Sequence, residues 1–211
     1  MTTPAPRSAY IHIPFCHRRC FYCDFAVVPL GDKADAQGGP GSRSIEAYLG
    51  QLLHEIELSP TGPPLATVYI GGGTPSLLTP EQVGRVLNTL RARFGLQSGS
   101  EITLEMDPAS FERLDLEALL RCGVNRVSLG GQSFDDQVLE SLGRRHRRSD
   151  LVQACEWLHR AVEHGDLRSW SLDLIRNLPA QSDDAWAVQL ERAVAMGAPH
   201  LSIYDLSVEP G

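Results

Sequence analysis

Short apolar runs recur along the chain, and longer stretches with apolar residues on one helical face separate most of them. The first run, Ala9-Tyr10-Ile11-His12-Ile13, alternates and predicts a strand that Pro14 ends. Residues 66–70 (ATVYI) are β-branched and aromatic. Together with 101–106 (EITLEM), 126–129, 170–175 and 200–204 they complete a set of six predicted strands. Ile45, Tyr48, Leu49, Leu52, Leu53 and Ile56 share one helical face, with Ser44 as the expected N-cap and Pro60 beyond the end. Thr79, Pro80 and Gln82 have the spacing of a capping box ahead of Val83, Val86, Leu87 and Leu90. Leu116, Leu119 and Leu120 mark a short helix closed by Gly123, and further helices are expected over 135–142, 150–164 and 182–196. Residues 31–43, rich in Gly, Asp and Ala, read as a mobile surface loop.

Strands alternating with helices imply a parallel sheet with crossover helices. Six units make either a doubly wound sheet or an incomplete barrel. In both, ligands bind at the carboxyl ends of the strands. The unusual residues follow the strands accordingly. Cys16, Cys20 and Cys23 follow the first, and Gly71-Gly72-Gly73-Thr74-Pro75 the second. Glu105 lies near the end of the third, Gln132 just after the fourth and Asp173 late in the fifth, while Tyr204 and Asp205 end the sixth.

Composition narrows the classes. The 211 residues suffice for one large domain, and 42% are hydrophobic. No run is long enough for a membrane span, and residues 1–8 lack the apolar core of a signal peptide. A cytoplasmic, reducing setting is therefore expected, in which clustered cysteines bind metal rather than pair as disulfides. The five cysteines, an odd number, point the same way. A net charge of −7 with one basic run, 144–148, disfavours a nucleic-acid partner. The bland reading of that run is a solvated turn between helices.

The C-x3-C-x2-C run has two metal readings. One is structural zinc with His12 or His17 as fourth ligand. The other is an iron–sulfur cluster with one iron free of protein ligands. Structural zinc usually draws on paired ligands from separate segments, and no second cysteine pair exists, so the spacing favours the cluster. Cys122 and Cys155 each stand at an apolar helical position and read as core residues. Three consecutive glycines after a strand mean a tight turn or a backbone that approaches a ligand closely. They match neither the Walker loop nor the dinucleotide fingerprint. Glu105 and Asp173 either face solvent or grip hydroxyl groups at the functional end of the sheet.

Tyr10-Ile-His-Ile-Pro-Phe-Cys16, Cys20, Tyr22-Cys23, the Gly71–Pro75 segment, Gly131-Gln-Ser-Phe134 and Leu172-Asp-Leu-Ile175 together resemble the radical S-adenosylmethionine superfamily. Within it they are similar to the branch of oxygen-independent coproporphyrinogen III oxidases and haem chaperones. The resemblance implies an α/β fold, a (β/α)6 partial TIM barrel. It implies that Cys16, Cys20 and Cys23 bind three irons of a [4Fe-4S] cluster and that S-adenosylmethionine chelates the fourth. By position, Gly72, Gly73 and Thr74 meet its methionine part and Glu105 lies against it. Gln132, Arg144 and Asp173 complete the pocket, Arg144 as a carboxylate partner. Tyr10 and Tyr22 match aromatic positions beside the cluster and the adenine.

The resemblance also separates the two branches. Oxidases carry a further cysteine two residues after the third, where this chain has Phe25, and they have a longer N-terminal extension. Both features favour the chaperones, which implies haem or a porphyrin as ligand and an acceptor protein as partner. Gly130-Gly131-Gln132 replaces the usual Gly-Val-Gln, and Arg176-Asn177-Leu178-Pro179-Ala180 replaces Tyr-Gly-Leu-Pro-Gly. Relatives continue past Gly211 into a C-terminal domain of roughly 150 residues. Residues 1–211 are accordingly expected to be the core domain, truncated before that point.

Overall fold

The computed structural model describes residues 7–31, 40–179 and 181–207. β1 (Ser8–Ile13) leads through Pro14 into β2 (Phe15–Cys16), which pairs in parallel with β3 (Val28–Pro29). Then come α1 (Pro40–Leu58), β4 (Leu65–Gly72), a 3₁₀ turn (Pro75–Leu77) and α2 (Pro80–Phe94). β5 (Leu96–Met106), α3 (Arg113–Cys122), β6 (Arg126–Gln132), α4 (Asp136–Ser141) and α5 (Arg148–Glu163) follow. β7 (Ser169–Arg176), α6 (Asp183–Ala195) and β8 (His200–Asp205) complete the chain. Among the described residues no helix is long and apolar enough to cross a membrane.

The main sheet is parallel, in the order β1-β4-β5-β6-β7-β8. A doubly wound sheet reverses its order at a switch point, and this one never does. With right-handed crossovers throughout, the helices fall on one side and the sheet curls around the other. The architecture is an open (β/α)6 barrel, a partial TIM barrel, with β1 and β8 as its two edges.

Alternation along the strands makes the two faces chemically opposite. Ile70, Leu104, Val127 and Trp170 stand in register across four strands, fully buried against the helices. Each contributes about 1.5–3 kcal/mol by its burial. One position further, Glu105, Ser128 and Ser171 form a row on the concave face, and Gly130, Asp173 and Ser202 form the next. A barrel interior lined by such groups cannot be filled by hydrophobic packing.

Helix ends follow their local chemistry. Thr79 Oγ1 accepts from Gln82 N at 3.2 Å, and Gln82 Oε1 accepts from Thr79 N at 2.9 Å. Gln82 Nε2 also donates to Glu46 Oε1 at 2.7 Å, tying α2 to α1. Gly123, at φ +115°, closes α3 in the left-handed region.

Several sequence expectations change. Ser44 is not the N-cap of α1, because the helix already starts at Pro40. Proline fits the first helical turn, where its missing N–H has no partner to lose. The expected 31–43 loop is thus helical from 40, and residues 32–39 lie outside the described residues. β5 begins at Leu96, not 101, because Leu96 pairs with Leu65 across a register shift. The apolar segment after the cysteines contributes β3, which the sequence pattern did not single out.

Replacing Thr79 with Ala removes one half of the capping box. The expected loss is about 1 kcal/mol of stability, read in urea as a lower midpoint with an unchanged slope.

Candidate functional site

A cavity of about 440 Å³ opens at the carboxyl ends of the strands. Its wall brings together Cys16, Cys20, Cys23, Tyr22, Gly72, Gly73, Thr74, Glu105, Gln132, Arg144 and Asp173. Five successive chain segments supply them, so the convergence is a product of the barrel. Tyr10 is the exception. It sits exposed on β1, with its ring stacked on Tyr69 at 6.0 Å and its hydroxyl 3.1 Å from His12 Nδ1.

The cysteine loop is closed on itself. Val28 N donates to Pro14 O at 2.7 Å, Leu30 N to Cys16 O at 2.8 Å and Gly31 N to His17 O at 2.9 Å. These bonds return the chain after the third cysteine to the first. Arg19 Nε donates to Cys23 O at 2.9 Å, and Phe21 N donates to Leu142 O at 3.1 Å, which anchors the loop tip beyond α4. All three thiols are free. Thr74 Oγ1 lies 3.5 Å from Cys16 Sγ, and Arg144 Nη1 lies 3.8 Å from Cys20 Sγ. Burial pushes the Cys16 thiol up, while Thr74 and the Arg144 charge oppose that rise.

The glycine triplet lies against the protein's own atoms. A Cβ on Gly73 would fall 2.6 Å from Phe15 O and 2.8 Å from Cys16 Sγ. On Gly72, at φ +120°, it would fall 2.8 Å from the His12 ring. Gly73 N donates to Ile13 O at 2.8 Å and Thr74 N to Phe15 O at 2.7 Å. Glycine here lets the end of β4 run against the backbone that carries Cys16.

The two carboxylates have different surroundings. Glu105 accepts from Tyr69 Oη at 2.8 Å and from Gly72 N at 3.0 Å. Burial raises its pKa, and these two bonds work against the rise. Asp173 Oδ2 accepts from Ser128 Oγ at 2.9 Å, and Ser171 Oγ donates to Ser128 Oγ at 3.1 Å. Burial raises the pKa of this carboxyl as well, with Ser202 and Ser128 working against the rise, yet no donor reaches the buried Oδ1 with hydrogen-bond geometry. An orphaned buried acceptor in a cavity wall calls for a ligand donor.

The basic run 144–148 joins α4 to α5 as expected, but it is not solvated throughout. The Arg144 side chain is 10% exposed and that of His146 is fully buried. Arg144 Nη2 donates to Asp107 Oδ2 at 2.5 Å and to Gly130 O at 2.8 Å, and Nη1 lies 3.4 Å from Tyr22 Oη. Burial opposes a charge on Asp107, yet Arg144 and then His146 hold its carboxyl below the usual carboxylate range. His146 Nε2 donates to Gly131 O at 3.0 Å, which leaves Nδ1 to accept from Arg144 Nε at 3.3 Å. Burial first, then the Arg144 charge, push the His146 pKa down to about 4.

Other sequence candidates lie elsewhere. His12 Nε2 donates to Ala26 O at 3.2 Å and its Nδ1 meets Tyr10, which engages both ring nitrogens away from the thiols. His17 lines the cavity. Among the described residues, no three His, Cys, Asp or Glu side chains gather to hold a single metal ion. Cys155 is buried in the core and Cys122 is half-buried, its Sγ donating to Pro80 O at 3.3 Å. The sequence reading missed Asp107, His146, Tyr69 and Ser128. Strand alternation marks Tyr69 and Ser128 as concave-facing. Nothing local marks Asp107 and His146, which meet across 39 residues of chain.

Protonating His146 places a second charge beside Arg144. Between pH 6.5 and 4 the unfolded chain binds this proton and the folded one does not, so stability falls as pH drops through that window. The expected slope is about 1.4 kcal/mol per pH unit from this group. Urea unfolding at pH 7 and pH 5 measures it, and His146→Gln should flatten the dependence.

The sequence profile of the radical SAM superfamily matches residues 10–187. A protein from Synechocystis sp. described as heme chaperone HemW is 40% identical over 97% of this chain and 48% of its own length. An oxygen-independent coproporphyrinogen III oxidase from Cereibacter sphaeroides is 31% identical over 97% of this chain and 43% of its own. The solved structure of Escherichia coli coproporphyrinogen III oxidase (HemN), described as a radical SAM enzyme, superposes with a TM-score of 0.81 at 28% identity, covering 98% of this chain and 45% of that one. The chain thus spans about half the length of the relatives it matches. Profile and relatives agree with the thiol-rimmed cavity at the mouth of a partial barrel, and the chain belongs to the radical SAM superfamily.

Proposed function

We propose that Cys16, Cys20 and Cys23 hold three irons of a [4Fe-4S] cluster and leave the fourth iron to the amino and carboxylate groups of S-adenosylmethionine. The observation that carries this reading is three free thiols on the rim of one cavity. The donors Thr74 and Arg144 face two of the sulfurs, at 3.5 Å from Cys16 Sγ and 3.8 Å from Cys20 Sγ. Gly73, with no room for a Cβ, lets the end of β4 close against the backbone that carries Cys16. Asp173 offers its unpartnered Oδ1 to a ribose hydroxyl. Gly72, Gly73 and Thr74 border the methionine part, and Glu105 steadies that turn through Gly72 N. Arg144 presents Nη1 to a carboxylate, with Gln132 beside it and Tyr22 toward the adenine. Tyr10 acts from outside, through its stack on Tyr69. When bound, the cluster supplies one electron to the sulfonium, which no side chain here provides.

Residues 1–211 are read as the core domain of a haem chaperone, which binds haem and passes it to an acceptor protein. Phe25 supports this over the oxidase. It lies in the cavity wall, 60% exposed, where an oxidase would present a further thiol. The similarity of the barrel to a solved coproporphyrinogen III oxidase favours the second reading, oxidative decarboxylation of coproporphyrinogen III.

Anaerobic reconstitution with iron and sulfide is expected to load about four irons per chain, with a broad charge-transfer band. Cys16→Ser, Cys20→Ser and Cys23→Ser should each abolish that band, and three variants that keep it would sink the assignment. Haem titration of the loaded protein should produce a Soret shift, and anaerobic assay with reductant and S-adenosylmethionine should produce no protoporphyrinogen. The opposite pair of results transfers the proposal to the oxidase.

A further inference from the structure

Arg144 has five N–H donors in a rigid fork. Three are committed away from the cavity. Both Nη2 hydrogens go to Asp107 Oδ2 and Gly130 O, and Nε goes to His146 Nδ1. Only Nη1 is left, and it faces Cys20 Sγ at 3.8 Å and Tyr22 Oη at 3.4 Å. The groups that hold the fork are themselves held. Asp107 Oδ1 accepts from Ala109 N at 2.9 Å, Asp107 N donates to Ser76 Oγ at 3.0 Å and His146 Nε2 donates to Gly131 O at 3.0 Å. The guanidinium plane is therefore set by the turn after β5, the end of β6 and the chain between α4 and α5.

We propose that Asp107 is the positioning residue of the site. It aims the Nη1 edge of Arg144 at the cysteine loop and cancels most of the arginine charge next to Cys20. The proposal rests on the reading that the three cysteines carry a cluster and that Arg144 pairs with the carboxylate of S-adenosylmethionine. Both consequences are electrostatic and geometric. Without the Asp107 charge, the full Arg144 cation faces the cluster and stabilises its reduced, more negative form. Without the Asp107 oxygen, the guanidinium is free to turn, and the ligand must bear the cost of ordering it. Residues that hold a ligating group in place typically change affinity by about 10- to 100-fold when replaced.

The test uses the full chain, reconstituted anaerobically. The midpoint potential of the cluster is read by titration followed by electron paramagnetic resonance, and S-adenosylmethionine affinity by calorimetry. Asp107→Asn should move the potential to a more positive value and weaken binding by about 10- to 100-fold. Asp107→Glu, which restores the charge, should return the potential most of the way. On an Arg144→Gln background, Asp107→Asn should weaken binding no further, because its effect on affinity runs through Arg144. If Asp107→Asn leaves a buried unpaired cation that prevents folding, the double variant has none and supplies the comparison with Arg144→Gln. A loaded Asp107→Asn protein with unchanged potential and affinity overturns the proposal, and so does a double variant that binds S-adenosylmethionine more weakly than Arg144→Gln. A wild-type chain that takes up no cluster removes the underlying reading as well, so the two failures are distinguishable.

Discussion

The site depends on a backbone crossing. The end of β4 runs against the segment from Ile13 to Cys16 so closely that Gly73 has no space for a side chain. Two hydrogen bonds, Gly73 N to Ile13 O and Thr74 N to Phe15 O, extend the β1–β4 pairing past the point where both strands end. That extension seats Cys16 and points the Thr74 hydroxyl at its sulfur. The β2–β3 pair then brings the chain after Cys23 back beside Cys16, so backbone hydrogen bonds define the shape of the loop.

A second constraint is the chemistry of the concave face. Glu105, Ser128, Ser171 and Asp173 occupy positions where a closed barrel would pack aliphatic layers. Burying such groups is costly unless each finds a partner. Tyr69, Gly72 and the two serines satisfy most of the demand, and Asp173 Oδ1 is left over. Arg144 and Asp107 extend the same logic, since burial makes each charge depend on the other. The stability of the barrel comes from the opposite, helix-covered face. The concave face is thereby free to carry polar groups that contribute little to folding.

Much of this was legible in the chain itself. Strand and helix positions follow from alternation and from 3.6-residue spacing, and the Thr79 box and the Gly123 stop behave as local chemistry dictates. The order of unusual residues after strands placed the three cysteines at one end of the sheet, where they line one cavity. The start of α1 was not legible, because Pro40-Gly41-Ser42 reads as a loop until the helix behind it is packed. Nor was the fate of the basic run, where Arg144 and His146 are buried only because Asp107 and Gly131 lie opposite them.

The sequence by itself left open whether Glu105 and Asp173 face solvent, but it determined the six β/α units and the thiol triad. These depend on periodicity and on neighbours within a few residues. Only the tertiary structure decided between a doubly wound sheet and an open barrel. It also turned the glycine triplet into a crossing beside Cys16 and gave Arg144 its carboxylate partner in Asp107. Those outcomes depend on contacts between segments tens of residues apart. The pairing of two charges across such a distance leaves no local pattern, because it becomes favourable only after the barrel has excluded water from both.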